Sequence, residues 1–197
     1  MNYFTNMRRL SLLISLLVIF VQANAQNTPR NNWLYKIMPN NVKLQYAGNI
    51  GMFAAGAGYL SPNQKWKGDL LYGIVPGTYA EKPINSITLK GKYAPINRQY
   101  ERGITVNWLN TGLWFNYSFG DEYFLGLPHY YDHGYYYFPT ALNIGAFVGS
   151  EIRYHKWGFY YEVGTTEKHL INYVKNAGSV NFHQMWNIGL GLVYHLK

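Results

Sequence analysis

The chain has 197 residues, 48% hydrophobic, 18% aromatic and only 13% charged, with a formal net charge of +8. Soluble domains carry about 25% charged residues, and a disordered chain needs high charge with few aromatics, so disorder is excluded. Tyr and Gly, at 20 each, are mediocre to poor helix formers and favour strands with tight turns over a helical bundle, while the absence of Cys excludes disulfides, thiolate metal sites and a cysteine nucleophile.

Residues 1–25 read as a cleaved secretory signal: Arg8 and Arg9 supply the positive end, Leu10 to Val21 the apolar run, and Ala23-Asn24-Ala25 the small-residue cleavage site. The apolar run is too short for a spanning helix, which needs about 20 apolar residues. Removing the signal leaves 15 basic residues against 9 acidic ones, a charge of +6. Residues 26–41 form a lead with Trp33, Leu34, Tyr35, Ile37 and Met38, and no second long apolar run follows.

From residue 42 onward the pattern has period two, which sends successive side chains to opposite faces of a strand. It predicts eight strands, near 42–51, 53–60, 67–76, 85–94, 108–119, 140–154, 157–168 and 182–196. The first places Val42, Leu44, Tyr46 and Ile50 against Lys43, Gln45, Ala47 and Asn49; the second places Phe53 and Tyr59 against Ala54, Gly56 and Gly58. The third opposes Leu70, Tyr72 and Ile74 to Asp69, Leu71 and Gly73, and the fourth Ile87, Leu89 and Tyr93 to Ser86, Thr88, Lys90 and Lys92. The fifth sets Leu113, Phe115, Tyr117 and Phe119 against Gly112, Trp114, Asn116 and Ser118. In the sixth, Leu142, Ile144, Ala146, Val148, Ile152 and Tyr154, interrupted only by Ser150, oppose Asn143, Gly145, Phe147, Gly149, Glu151 and Arg153. The seventh opposes Trp157, Phe159, Tyr161 and Val163 to Gly158, Tyr160, Glu162 and Gly164; the last opposes Trp186, Ile188, Leu190, Leu192, Tyr194 and Leu196 to Asn187, Gly189, Gly191, Val193 and His195.

The polarity of the second face decides what such strands build. A soluble barrel or sandwich puts many charges on its outer face. Here the second face is mainly Gly, Asn, Ser and Thr, with Asp69, Glu151 and Glu162 balanced by Lys43, Lys90, Lys92 and Arg153. That mixture suits the packed polar interior of a narrow barrel, and the apolar face with Trp and Tyr near its ends suits a lipid band with aromatic girdles. Lipid exposure requires closure, since no backbone N–H can stay unpaired in hydrocarbon.

With these features, residues 42–197 resemble the small eight-stranded outer-membrane β-barrel proteins of Gram-negative bacteria, and the Tyr, Asn and Lys content is similar to their Bacteroidetes members. In the last strand Asn187, Gly189, Leu192 and Tyr194 match the family's assembly signal, although the chain ends in Leu196-Lys197 where the family usually ends in an aromatic residue. The resemblance implies an all-β fold: an eight-stranded antiparallel transmembrane barrel after a cleaved signal peptide, located in the outer membrane. Its implied partners are outer-membrane lipid and lipopolysaccharide and the barrel-assembly machinery. Family topology makes the lead periplasmic, with short periplasmic turns at 61–64 and 155–156 and external connections at 77–84, 120–139 and 169–181. It leaves 95–107 as a long periplasmic connection that either folds inward or extends a strand.

The expected role is structural or surface-interacting. Asp69, Lys90, Lys92, Glu151, Arg153 and Glu162 share the inner face as a mixed-sign network, in which Lys90, Lys92 or Arg153 supplies the cation between carboxylates that would otherwise repel. Eight strands leave room only for side chains, so the expected lumen is closed. The alternative is an outer-leaflet lipid-modifying enzyme, an acyl-chain hydrolase or transferase, which needs a Ser nucleophile or a His base oriented by an acid. The barrel hydroxyls are Ser86, Ser118 and Ser150, with His129, His133, His169 and His183 towards the outer end, but no His-x-Ser pair occurs and no Ser adjoins an Asp. No catalytic residue is assigned. His129, Asp132 and His133 have spacing for metal ligands on one helical turn, but Gly126, Pro128 and Gly134 oppose a helix there, and a Tyr-rich external loop is the reading adopted. A soluble lipocalin-like binder would need its apolar face inward. No cofactor is expected, and an exported chain with no basic cluster is not expected to bind nucleic acid.

Overall fold

The period-two segments fold into eight antiparallel strands: β1 (Asn41–Ala47), β2 (Phe53–Leu60), β3 (Trp66–Val75), β4 (Ile84–Gln99), β5 (Ile104–Phe119), β6 (Leu142–Tyr154), β7 (Trp157–Thr166) and β8 (Asn187–His195). Each pairs with its sequence neighbour, and β8 pairs with β1, so the sheet is a closed barrel without edges. The computed structural model describes residues 37–120, 123–124, 140–175 and 182–197. Residues 1–25, expected to be a signal, nearly all of the lead, and His129, Asp132 and His133 lie outside the described residues. The barrel belongs to the unit Pro39–Lys197. Among the described residues, no helix is long and apolar enough to cross a membrane, which says nothing of crossing by strands.

One end of the barrel holds the start of β1, the end of β8 and the connections 61–65, 100–103 and 155–156; the other holds 48–52, 76–83, the end of β5, the start of β6, the end of β7 and the start of β8. The apolar face points outward all the way round: Leu44, Leu70, Leu89, Leu113, Val148, Phe159 and Leu192 are all exposed, from 46% to 60%. Lys43, Lys67, Lys90, Lys92, Asp69, Glu151 and Glu162 point inward and are buried. This polarity is the reverse of a soluble barrel's.

Several segments depart from simple alternation. Ile50, placed by parity with Val42 and Leu44, is instead 1% exposed and packs inside with Ala54, Leu71, Trp114 and Phe147. The reason is local: Ala47, Gly48 and Asn49 all have positive φ, so β1 ends and the chain turns before Ile50. Segment 95–107 is no free connection. It extends β4 and β5 into a long hairpin closed by a 3-10 turn at Glu101–Gly103. The register shifts between Tyr93 and Ile96, where Pro95 has no N–H to donate, and between Asn107 and Asn110. At the second bulge Trp108 and Leu109 are both exposed in succession, and the Ser150 hydroxyl donates to the Asn107 carbonyl at 2.9 Å.

The strand predicted over 157–168 stops at Thr166, and the connection that follows begins with helix α1 (Glu167–Lys175). The Thr166 hydroxyl caps it by accepting the His169 N–H at 3.2 Å, and Glu167 places a carboxylate in the first turn. The same carboxylate accepts the Ile144 N–H at 2.7 Å, just beyond the last β6–β7 pair at Gly145 and Thr166. The last strand begins at Asn187, because Phe182–Met185 form a 3-10 turn.

Candidate functional site inside the barrel

The interior is layered along the barrel axis. Nearest the terminal end, Lys67 donates to Glu151 at 3.1 Å, and His195 Nε2 stands 3.8 Å from the other Glu151 oxygen. Above them runs a continuous chain of charges. Lys43 reaches Asp69 at 2.8 Å, Asp69 takes Lys92 at 2.7 Å, Lys92 reaches Glu162 at 3.0 Å, and Glu162 also binds Lys90. Lys90 donates in addition to Gln45 Oε1 at 2.8 Å, which also accepts the Tyr160 hydroxyl at 3.0 Å. The ions come from five strands, Lys43 from β1, Lys67 and Asp69 from β3, Lys90 and Lys92 from β4, Glu151 from β6 and Glu162 from β7, so closure of the sheet brings them together.

The next layer is apolar. Trp114, Phe147, Leu71, Ile50 and Ala54 fill the lumen, with Lys90 at 5.2 Å and Lys92 at 5.9 Å from the Phe147 ring centroid. Beyond it, Asn116 donates to Thr88 at 2.8 Å and Ser86 donates to the Ile50 carbonyl at 3.0 Å. Inward glycines make room for the rings. Trp114 faces Gly145, Phe147 faces Gly112 and Tyr160 faces Gly191 across the ladders, and a Cβ on any of these glycines would collide with its ring. The pairing lets large side chains lie flat across a narrow lumen.

Among the residues predicted from sequence, Asp69, Lys90, Lys92 and Glu162 lie in one connected cluster. Glu151 lies nearer the terminal end with Lys67. Arg153 stands apart: it is half-buried and its guanidinium donates to Thr105 Oγ1 at 3.3 Å, so lysines alone supply the cations between the carboxylates. Lys43, Lys67, Gln45, Tyr160 and His195 also join the interior network and lie beyond the six residues predicted for it. Parity carried the signal, since Lys67 is two residues from inward Asp69 and Tyr160 two from inward Glu162.

Asn187, Gly189, Leu192 and Tyr194 all lie on the closing strand β8. Gly189 is inward, where a Cβ would stand 2.7 Å from Gln45 Nε2; Leu192 and Tyr194 face outward, and Tyr194 packs edge-on against Trp157 at 4.9 Å. The hydroxyls considered for catalysis are engaged elsewhere: Ser118 donates to Asn116, and Ser86 and Ser150 to backbone carbonyls. Comparison with protein-family models, with curated proteins and with solved structures returns no match for this chain.

Proposed function

We propose that this chain is a small integral outer-membrane β-barrel with a closed lumen and a structural or surface-interaction role. The observation that carries the reading is the reversed polarity: a largely apolar outer surface around an ionic interior. In water such a surface would far exceed the apolar patch a monomer tolerates; in a bilayer it is the face that meets lipid. Aromatic pairs at the terminal end, Trp66 with Tyr93 and Trp157 with Tyr194, and Tyr46 with Phe53 at the other, suit two interfacial girdles. In this reading the terminal end is periplasmic, residues 1–25 direct export, and β8 presents Asn187, Gly189, Leu192 and Tyr194 to the assembly machinery.

Fractionation of a Gram-negative host expressing the full chain tests it. The protein is expected in the outer membrane, extractable only with detergent, and running faster on gels unheated than boiled. Recovery from the soluble periplasm without detergent would overturn the reading.

A further inference from the structure

The apolar outer surface is hollowed where two glycines face outward. A crevice of about 470 Å3 opens where β3, β4, β5 and β6 run side by side. Its floor is the backbone at Gly91, where a Cβ would meet nothing within 4 Å. Gly68, the partner of Gly91 across the β3–β4 ladder, is almost as open, with its nearest such neighbour at 4.0 Å. Leu113 and Phe115 form one wall. Trp66 and Tyr93, their rings tilted at 42° with centroids 4.8 Å apart, close the end towards the terminal side. The apolar groups that line it lack packing partners on the open side unless something fills the crevice.

We propose that the crevice seats one acyl chain of a glycerophospholipid with an anionic headgroup, drawn from the periplasmic leaflet. The inference rests on the membrane reading above. The walls offer hydrocarbon almost throughout, and the crevice opens sideways from the barrel, so a bilayer chain enters without crossing water. Trp66 and Tyr93 sit at the level where ring bodies meet chains and polar tips meet headgroups. Lys65, exposed and immediately before Trp66, has its backbone at that end of the crevice. Its carbonyl accepts the Ala94 N–H at 2.8 Å, which ties the cation's backbone to both strands that frame the crevice. An ammonium there attracts a lipid phosphate, and more strongly a headgroup with no compensating cation. A second copy of the chain suits the site poorly, because a two-fold axis sets a concave patch against its own concave image.

Native mass spectrometry of the barrel, purified from membranes in mild detergent and then titrated with phosphatidylglycerol or phosphatidylcholine, tests the proposal. The wild type should hold one phospholipid and prefer phosphatidylglycerol. Gly91→Leu, which fills the floor, should lower the bound fraction about tenfold, the loss expected when about two buried methylenes lose their seat. Lys65→Gln should erase the headgroup preference while chain binding persists. Unchanged binding by folded Gly91→Leu overturns the proposal, as does a lipid-free wild type whose dimer disappears in Gly91→Leu. Ala146→Leu fills the same crevice from the β6 side and decides the point should Gly91→Leu fail to assemble. Detergent-free solubility of the wild type would instead sink the membrane reading, whereas a membrane-integrated barrel indifferent to Gly91→Leu sinks only the lipid seat.

Discussion

The buried charges do not balance, and this makes their removal asymmetric. Among the described residues the lumen buries Lys43, Lys67, Lys90 and Lys92 against Asp69, Glu151 and Glu162, one cation in excess. Glu162→Gln removes the carboxylate shared by Lys90 and Lys92, strips two charge-assisted hydrogen bonds and raises the excess to two. Stranding a buried ion in this way costs about 3–5 kcal/mol. Lys90→Met removes the excess instead. Glu162 keeps Lys92 at 3.0 Å, and Gln45 Oε1 keeps the Tyr160 hydroxyl at 3.0 Å. With no ion stranded and a methionine filling similar volume, the loss should stay below about 1–2 kcal/mol. Urea unfolding in phospholipid vesicles, followed by tryptophan fluorescence and extrapolated linearly, measures both. The reasoning fails if Lys90→Met destabilises as much as Glu162→Gln, or if Glu162→Gln is neutral.

Three further outcomes follow from the geometry. On the outward face, Phe115→Arg or Val148→Arg should destabilise the barrel by about 2–4 kcal/mol if that face meets the bilayer midplane, read by the same unfolding assay; a loss no greater than for an exposed loop substitution would reject the lipid assignment. Gly191→Val drives a side chain into the Tyr160 ring and should destabilise by about 1–3 kcal/mol; Tyr160→Ala in the same chain should recover part of that loss, and additivity of the two would break the paired-packing account. The layer of Trp114, Phe147, Leu71 and Ile50 closes the lumen, so the wild type should carry no steady current in planar bilayers, and a stable channel of porin size would refute closure.

Most of the fold was legible along the chain because strand geometry is local. A side chain's face is fixed by parity, so Asp69, Glu151 and Glu162 read as inward, and Leu70, Phe115 and Leu192 as outward, without any knowledge of neighbours. Parity breaks where the backbone breaks it: the positive φ angles at Ala47–Asn49 turned Ile50 inward, and the shifts near Pro95 and Trp108 lengthened the β4–β5 hairpin. Helix α1 was written in the Thr166 cap and the spacing of Leu170, Ile171 and Val174, but strand alternation ran into it and masked its start.

What the sequence could not determine is which inward residue meets which. That depends on register and closure, quantities that join residues far apart in the chain. Lys67 meets Glu151 across 84 positions and Lys90 meets Glu162 across 72, while nearby Arg153 turns to Thr105. The same holds outside the barrel, where Gly68 and Gly91 are unremarkable in their own strands. The β3–β4 register sets them opposite one another, and the pairing of β4 with β5 and of β5 with β6 brings the other walls to Gly91, because a missing side chain becomes a space only when its neighbours fail to fill it.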